Sequence, residues 1–247
     1  MKSLYLLCLI VMIEALSGCA IAPDQEARIN KCSRENNAYT AGDRIGNGGY
    51  WSCLSREENN DRYREQQQPF IESRDFFFLT TIDHRGYPTC SYKGGNLGLV
   101  KVIDSQTLAF PSYDGNGMFL SLGNIQGNTK IGMLFIDFEN PHRLRVHGDA
   151  SIETDDELLT EYPGAEMIVR VKISEVFINC PRYIHRMNKL DTSKYVPKEG
   201  VETPAAQWKR IDALQDALPA CDLHIAESLG GVITPEEYGA MVVEGKG

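Results

Sequence analysis

Residues 76–86 read Phe-Phe-Phe-Leu-Thr-Thr-Ile-Asp-His-Arg-Gly, an aromatic and β-branched run that ends in a turn sequence. Aromatic and β-branched side chains are enriched in strands. Asp83 and Gly86 stand at the first and fourth positions, where a type I turn prefers Asp and Gly. The stretch therefore predicts a strand that enters a hairpin, whose second strand covers residues 89–93.

Further short stretches of the same kind follow the hairpin, separated by Gly, Asn and Asp residues. They predict strands at 98–103, 107–111, 130–138, 142–152 and 168–178. One inserted helix is predicted among them, at 118–125. Many short strands around one helix favour a mainly β, antiparallel barrel over alternating β-α-β units.

Flanking helices are predicted on both sides of the strands. Ser55 and Glu58 fit a capping box, so a polar helix is expected to begin there and to end or kink at Pro69. Thr203 and Pro204 suit the N-cap and first turn of a second helix. The apolar stripe of that helix, at helical spacing, is Trp208, Ile211, Leu214 and Leu218. We interpret the stripe as core or dimer interface.

The N-terminus resembles a bacterial lipoprotein signal. Lys2 precedes the apolar run 4–13, and the segment ends in Leu-Ser-Gly before Cys19. In this interpretation Cys19 is lipid-modified, which places the protein in the bacterial cell envelope with the lipid anchor as its only contact with the membrane. The alternative is a mispredicted start or a helix packed on the core, in a cytoplasmic protein.

Composition and pattern divide the chain into four regions. These are the signal segment at 1–19, a polar extension at 20–54, the strand-rich domain at 55–222 and a C-terminal tail at 223–247. Cys32 and Cys53 lie in the polar extension, where they could pair in an oxidising compartment or remain thiols.

The chain is acidic, with 25 Lys and Arg residues against 34 Asp and Glu residues and a net charge of −9. Nucleic-acid phosphates are bound by clustered basic side chains. No nucleic-acid partner is therefore expected, and a small-molecule ligand fits the composition better.

The Gly-rich stretch at 112–118 reads Ser-Tyr-Asp-Gly-Asn-Gly-Met and links a predicted strand to the predicted helix at 118–125. A tight turn that leads into a helix presents backbone N–H groups and the positive end of the helix dipole to one point, which suits a phosphate. An ordinary strand-to-helix turn shares these sequence features. The stretch is a candidate phosphate site, with a plain connecting turn as the alternative.

Several stretches of the chain occur in the order typical of one known family. They are Arg-Asp-Phe-Phe-Phe-Leu at 74–79, Gly-Tyr-Pro at 86–88, Cys-Ser-Tyr-Lys-Gly-Gly at 90–95, Phe-Pro-Ser-Tyr-Asp-Gly-Asn-Gly-Met at 110–118, Gly-Met-Leu-Phe-Ile-Asp-Phe-Glu at 132–139, Leu-Arg-Val-His-Gly at 144–148 and Cys-Pro-Arg-Tyr-Ile-His-Arg at 180–186. Together they resemble the pyridoxamine 5′-phosphate oxidase-like flavoproteins over roughly residues 58–215.

The resemblance implies a six-stranded antiparallel split β-barrel of Greek-key topology with flanking helices. It also implies a homodimer that binds one flavin mononucleotide (FMN) at each of two subunit interfaces. Ser91, Lys93 and Gly94 match the family strand that lines the flavin, with Lys93 as the cation for an anionic phosphate or a reduced flavin. The residues that match the family's phosphate and ribityl turn are Ser112, Tyr113, Asn116, Gly117 and Met118.

The remaining polar contacts to the flavin are assigned to three residues of the strand predicted at 142–152. They are Arg143, Arg145 and His147, of which Arg145 and His147 share one face of the strand. The alternative for His147 is an exposed or interface histidine. No metal ligands and no catalytic residue are assigned.

The chain departs from the vitamin-forming oxidases at two places. Those enzymes carry an Arg and then a Lys on the second strand, and Ser-Arg-Lys at the phosphate turn. This chain has Ser91 with Asn96, and Asn116-Gly117-Met118. Each missing charge-assisted hydrogen bond is worth about 1.5–3 kcal/mol, so oxidation of pyridoxamine phosphate is not expected.

The resemblance therefore predicts an FMN-binding oxidoreductase that transfers electrons or hydride to or from a small molecule. Two alternatives stay open: a non-catalytic flavin- or haem-binding envelope module, and a deazaflavin-dependent reductase. No residue of the sequence decides among the three.

Overall fold

A computed structural model describes residues 67–178 and 180–246 of the chain. The strands are β1 (Phe76–Ile82), β2 (Pro88–Gly94), β3 (Lys101–Asp104), β4 (Thr107–Tyr113), β5 (Lys130–Asp137), β6 (His142–Glu153) and β7 (Ala165–Ile178). The helices are α1 (Leu120–Gly127), α2 (Ile225–Ser228) and α3 (Pro235–Val243), with 3-10 turns at Glu157–Glu161, Gln207–Arg210, Asp212–Ala217 and Ala220–Asp222. Residues 67–72 are also helical.

The strands form one antiparallel sheet in the order β2-β1-β5-β6-β7-β4-β3. The mainly β, antiparallel fold class predicted from the sequence is thus confirmed. All seven stretches that the pattern assigned to strands form strands, one more than the six that the resemblance implies.

The sheet curls until distant strands meet across its inner face. Phe77 on β1 and Phe110 on β4 have ring centroids 5.0 Å apart, although β5, β6 and β7 lie between their strands in the sheet. Phe77 also stacks on Phe135 of β5 at 5.5 Å. These rings lie in one continuous buried core that also takes in Leu79, Leu108, Met133, Leu144, Val146, Val169 and Val171.

Aromatic residues cover both faces of β1, which explains the unbroken run of three phenylalanines. Successive side chains of a strand point to opposite faces, and Phe77 is buried inside while Phe76 and Phe78 are partly exposed outside. Phe76 stacks on Tyr92 at 5.5 Å and on Phe138 at 5.9 Å. We call Phe76, Phe78, Tyr92 and Phe138 the outer aromatic cluster.

The β1–β2 hairpin closes as its sequence predicts. The Gly86 amide donates to the Asp83 carbonyl at 2.9 Å, the i to i+3 bond of a β-turn. The Asp83 carboxylate also accepts the backbone N–H groups of Arg85 and Tyr87. Gly86 has φ +87°, a conformation that glycine adopts without strain.

Helix α1 is fixed above this hairpin by a buried polar contact. Asn124 Nδ2 donates to the hydroxyls of Thr81 and Thr89, each at 3.0 Å. The helix begins at Leu120, two residues later than predicted, because Phe119 adopts the left-handed conformation at φ 46°. The contact holds the middle of α1 against the hairpin end of β1 and β2.

The α-helix predicted from Pro204 onward does not form, and that prediction is wrong. Ile211 is extended and separates two 3-10 turns. A parallel bridge joins Ile211 to Ile233, and the Ile233 amide donates to the Arg210 carbonyl at 2.9 Å. This long-range pairing draws Ile211 out of helical geometry, and Ile211 alone of the predicted stripe is buried.

Several expectations fall on other parts of the chain. The lipidation site Cys19, the polar extension and the capping box at Ser55 all lie outside the described residues. Among the described residues, the helix at 67–72 runs through Pro69, so helical structure does not end at that proline. Within residues 67–178 and 180–246, no helix is long and apolar enough to cross a membrane.

Candidate functional site

A cleft of about 920 Å³ opens beside the outer aromatic cluster. Its walls are the ends of β1, β2 and β4, the first turn of α1 and residues 187–197. We call residues 187–197 the strap. The Met187 amide donates to the Phe138 carbonyl at 3.0 Å, and Asn96 Nδ2 donates to the Pro197 carbonyl at 3.1 Å. Both ends of the strap are therefore held against the sheet.

Lys93 gives this cleft an unneutralised cation. Its side chain is half-buried, and no hydrogen bond or ion pair joins its ammonium group to any residue in the described part of the chain. Burial lowers the pKa of Lys93, since the charged form is desolvated without a partner. The other cations of the lining are paired, Arg74 with Asp137 at 3.1 Å and Lys189 with Asp75. An anion entering the cleft would therefore meet Lys93.

Three further residues assigned from the resemblance line the same cleft as Lys93. Gly94 follows it on β2, and Ser112 and Tyr113 end β4 opposite. A Cβ atom at Gly94 would lie 2.7 Å from the Tyr92 ring, so glycine leaves room for that ring. Burial raises the pKa of Tyr113, which keeps its phenol protonated as a hydrogen-bond donor.

Ser91 has a supporting position rather than a place in the cleft wall. Its hydroxyl hydrogen-bonds the Ser121 hydroxyl at 3.2 Å. Ser121 is buried in the first turn of α1 and does line the cleft. Ser91 thus connects β2 to the start of the helix.

Two backbone N–H groups of the Gly-rich turn donate hydrogen bonds to side chains of the same turn. The Gly117 amide donates to Asp114 Oδ1 at 3.0 Å, and the Met118 amide donates to Asn116 Oδ1 at 3.1 Å. Asn116, Gly117 and Met118 are exposed and lie outside the cleft lining, whereas Asp114 and Gly115 are part of it. The N–H groups of residues 117 and 118 therefore do not point free into the cleft.

Two residues assigned on β6, Arg145 and His147, lie in a different cavity from Lys93. Arg145 and His147 line a second cavity of about 650 Å³, together with Lys130 and Glu175. His147 Nδ1 lies 3.5 Å from Glu175 Oε2. Within one chain, these two residues and Lys93 do not share a cavity.

Arg143 lies in neither cavity lining. Its guanidinium donates to the Cys180 carbonyl at 2.8 Å. Its Nε is buried without a hydrogen-bond partner among the described residues. Its observed contact is with the chain that leaves β7.

Sequence reasoning missed the strap and the residues that fasten it. Lys189 pairs with Asp75 across 114 positions of the sequence, and no local pattern marks such a contact. The Asp75 and Asn96 anchors stand beside recognised motifs, but their partners lie in a stretch without secondary structure.

Comparison with known proteins gives one match to a family model. Residues 63–180, just under half of the chain, match the model described as pyridoxamine 5′-phosphate oxidase. No curated protein matches the chain.

Solved structures of low sequence identity resemble the chain in part. A putative pyridoxamine 5′-phosphate oxidase from Lactobacillus delbrueckii is 22% identical, with 50% of this chain and 98% of that chain covered and a TM-score of 0.40. HupZ of Group A Streptococcus is 18% identical, with 50% and 98% covered and a TM-score of 0.39. An FMN-binding protein from Syntrophomonas wolfei is 13% identical, with 49% and 88% covered and a TM-score of 0.37.

The family model spans β1 to β7 and includes the cleft residues on β2 and β4. The strap and the 3-10 turns that follow it lie beyond its end. Over residues 63–180, the chain is similar to the pyridoxamine 5′-phosphate oxidase family.

Proposed function

We propose that the cleft beside Lys93 binds FMN and that the protein is an FMN-dependent oxidoreductase acting on a small molecule. The observation that carries the proposal is the half-buried Lys93 ammonium, which has no acidic partner in the described chain. A buried cation without a counter-ion is costly, and an anionic ligand would remove that cost.

The cleft also suits the other parts of a flavin. Ligand sites enclose roughly 300–1,000 Å³ and are mostly apolar with a few convergent polar groups. The outer aromatic cluster offers flat apolar surface to a planar ring system. Ser112 and Tyr113 supply hydroxyl groups on the wall facing β2.

In this proposal each part of the chain has a distinct task. A bound flavin supplies the capacity to accept and donate electrons or hydride. Lys93 holds negative charge, the phenol of Tyr113 stays protonated, and the strap limits the access of water to one side of the cleft.

We further propose that two copies of the chain pair through the outer face of the sheet. Side chains on this face of β1 and β5 include Phe78, Ile82, Leu134 and Ile136, all partly exposed. The same face carries the second cavity with Arg145 and His147. Pairing would cover the apolar side chains and could bring these polar residues of one copy to the cleft of the other.

The cellular location is a separate proposal. The sequence pattern around Cys19 supports a lipid-anchored protein of the bacterial cell envelope. Incorporation of labelled palmitate that is lost in Cys19→Ser would support it, and unlabelled wild-type protein would refute it.

The cofactor proposal is tested by titrating the protein with FMN. Lys93→Met keeps most of the side-chain volume and removes the charge, and it should weaken FMN binding by at least tenfold, because charge-assisted contacts of about 1.5–3 kcal/mol would be lost. Lys172→Met, at an exposed position on β7 outside both cavities, is the matched control. Equal affinity of both variants for FMN would remove Lys93 from the site.

The spectrum of protein purified from its native compartment separates the three functions. Flavin absorbance that bleaches on addition of reduced nicotinamide would support the oxidoreductase. A Soret band would support a haem-binding module. Deazaflavin absorbance would support the third alternative, and colourless protein that ignores added FMN would refute the cofactor proposal.

A further inference from the structure

Lys209 connects residues 207–222, which we call the C-terminal segment, to the cleft. It lies in the 3-10 turn Gln207–Arg210, beyond the region matched by the family model. Lys209 is only 8% exposed to solvent. Its Nζ lies 2.8 Å from Asp222 Oδ2 and 3.5 Å from Asp114 Oδ2. One buried cation therefore bridges two carboxylates from different parts of the chain.

Asp114 is the member of this trio that belongs to the cleft wall. Its Oδ1 accepts the Gly117 amide at 3.0 Å, while its Oδ2 faces Lys209. The two oxygens of one carboxylate thus have different partners. A cation beside Oδ2 favours the side-chain orientation in which Oδ1 accepts the Gly117 amide.

The charge of Asp114 opposes the proposed ligand. Lys93 and Asp114 line the same cleft, one attractive and one repulsive to an anion. Like charges repel over distances up to about a Debye length, roughly 8–10 Å at physiological salt. Without a nearby cation, the carboxylate would weaken the binding of any phosphate held by Lys93.

The surroundings of Lys209 keep its side chain positively charged. Burial disfavours the charged form, but the hydrogen bonds and charges of Asp222 and Asp114 outweigh it, so the pKa of Lys209 is raised. The ammonium therefore stays charged at neutral pH and remains available to offset Asp114.

We infer that Lys209 is a positioning residue that partly offsets the charge of Asp114 at the cleft wall and thereby raises the affinity of the site for a phosphate-bearing flavin. The inference rests on the proposed function. It gives the C-terminal segment a role in selecting the ligand.

A purely structural role for Lys209 makes different predictions. The shorter of its two ion pairs is with Asp222, which belongs to the C-terminal segment itself. If Lys209 only held that segment in place, loss of Asp222 would be as harmful to ligand binding as loss of Lys209. If Lys209 shields Asp114, loss of Asp222 frees Lys209 to pair with Asp114 and should not weaken binding.

The test compares FMN with riboflavin, which has the same ring and ribityl chain and lacks only the phosphate. Lys209→Met should weaken FMN binding by roughly five- to tenfold, as expected for one partly screened charge, and change riboflavin binding by less than about twofold. Asp222→Asn should leave both affinities within about twofold of wild type. In an Asp114→Asn background, which keeps an acceptor for the Gly117 amide, Lys209→Met should lose most of its effect on FMN.

The inference is overturned if Lys209→Met weakens both flavins equally, if Asp222→Asn weakens FMN as much as Lys209→Met does, or if the Asp114→Asn background leaves the effect unchanged. Failure of the wild-type protein to bind either flavin would instead overturn the proposed function. In that case hydrogen exchange of the ligand-free protein decides about Lys209: faster exchange of the Gly117 amide in Lys209→Met but not in Asp222→Asn supports its positioning role, and unchanged exchange refutes it.

Discussion

Asn124 of α1 donates a 3.0 Å hydrogen bond to Thr81 of β1, and both residues are buried. A second bond from the same amide reaches Thr89, and the two threonine hydroxyls are themselves 2.8 Å apart. One amide group thus ties the helix at the cleft to both strands of the first hairpin.

Replacement of Asn124 by alanine should destabilise the protein by about 1–3 kcal/mol, because the buried Thr81 hydroxyl and the partly buried Thr89 hydroxyl lose a donor. The free energy of unfolding from urea titration measures the loss. Gln126→Ala, at an exposed position of the same helix, controls for helix propensity and should change stability by less than about 0.5 kcal/mol. Equal losses in the two variants would contradict the argument.

Alanine substitutions at Phe76 and Phe77, neighbours on β1, should have different effects on stability and on ligand binding. Phe77→Ala removes a fully buried ring and should cost about 3–5 kcal/mol of unfolding free energy. Phe76→Ala removes a ring of the outer aromatic cluster and should cost less stability but lower FMN affinity. Denaturation and FMN titration of both variants check the contrast, which fails if Phe76→Ala binds FMN as wild type does.

Gly148 should not tolerate a side chain. It lies at the register shift between β6 and β7, where a Cβ atom would come within 2.6 Å of the Lys172 carbonyl oxygen. Gly148→Ala should therefore destabilise the protein by about 1–3 kcal/mol. Gly132→Ala is the control, because its nearest neighbours lie at ordinary contact distances of 3.7 and 3.8 Å. Similar melting temperatures for the two variants would refute the steric argument.

Asp156 should contribute to acid sensitivity. Hydrogen bonds from Arg170 at 2.6 and 3.0 Å, together with the Leu158 amide, hold the pKa of Asp156 below its ordinary value of 3.8. A lowered carboxyl pKa adds stability that is present above the unfolded value and lost as pH falls through the folded value. The unfolding free energy of wild type should therefore fall more steeply below pH 3.8 than that of Asp156→Asn. Parallel pH profiles would contradict this assignment.

Binding of FMN should weaken at alkaline pH through Lys93. Burial places the pKa of Lys93 below 10.5, and only the protonated form attracts an anion. Affinity for FMN should fall as pH rises through that pKa in wild type, and it should fall less in Lys93→Arg, because arginine stays charged. The affinity of Lys93→Met should show no such step. A step that persists in Lys93→Met would assign the titration to another group.

The strands were predictable because their signal is local. Runs such as 76–82 alternate between the core and the outer face, and the turn at Asp83 and Gly86 follows from residue preferences alone. The helix expected around Ile211 was not predictable, because a bridge to Ile233 overrides the local spacing.

The candidate site was predictable only in part, for the same reason. Lys93, Gly94, Ser112 and Tyr113 come together because the order of the strands brings β2 and β4 to one cleft. The internal bonds of the Gly-rich turn depend on how the Asp114 side chain is oriented. Lys209 contacts the Asp114 side chain from a distant part of the sequence, and no sequence motif predicts that contact.

The anchors of the strap determine when the last wall of the cleft can form. Asn96 and its partner Pro197 are separated by 101 positions of the sequence, and Asp75 and its partner Lys189 by 114 positions. A nascent chain that has released all seven strands still lacks this wall, since the strap follows β7. If the cleft binds FMN as proposed, it can enclose the ligand on all these sides only after residue 197 has been synthesised.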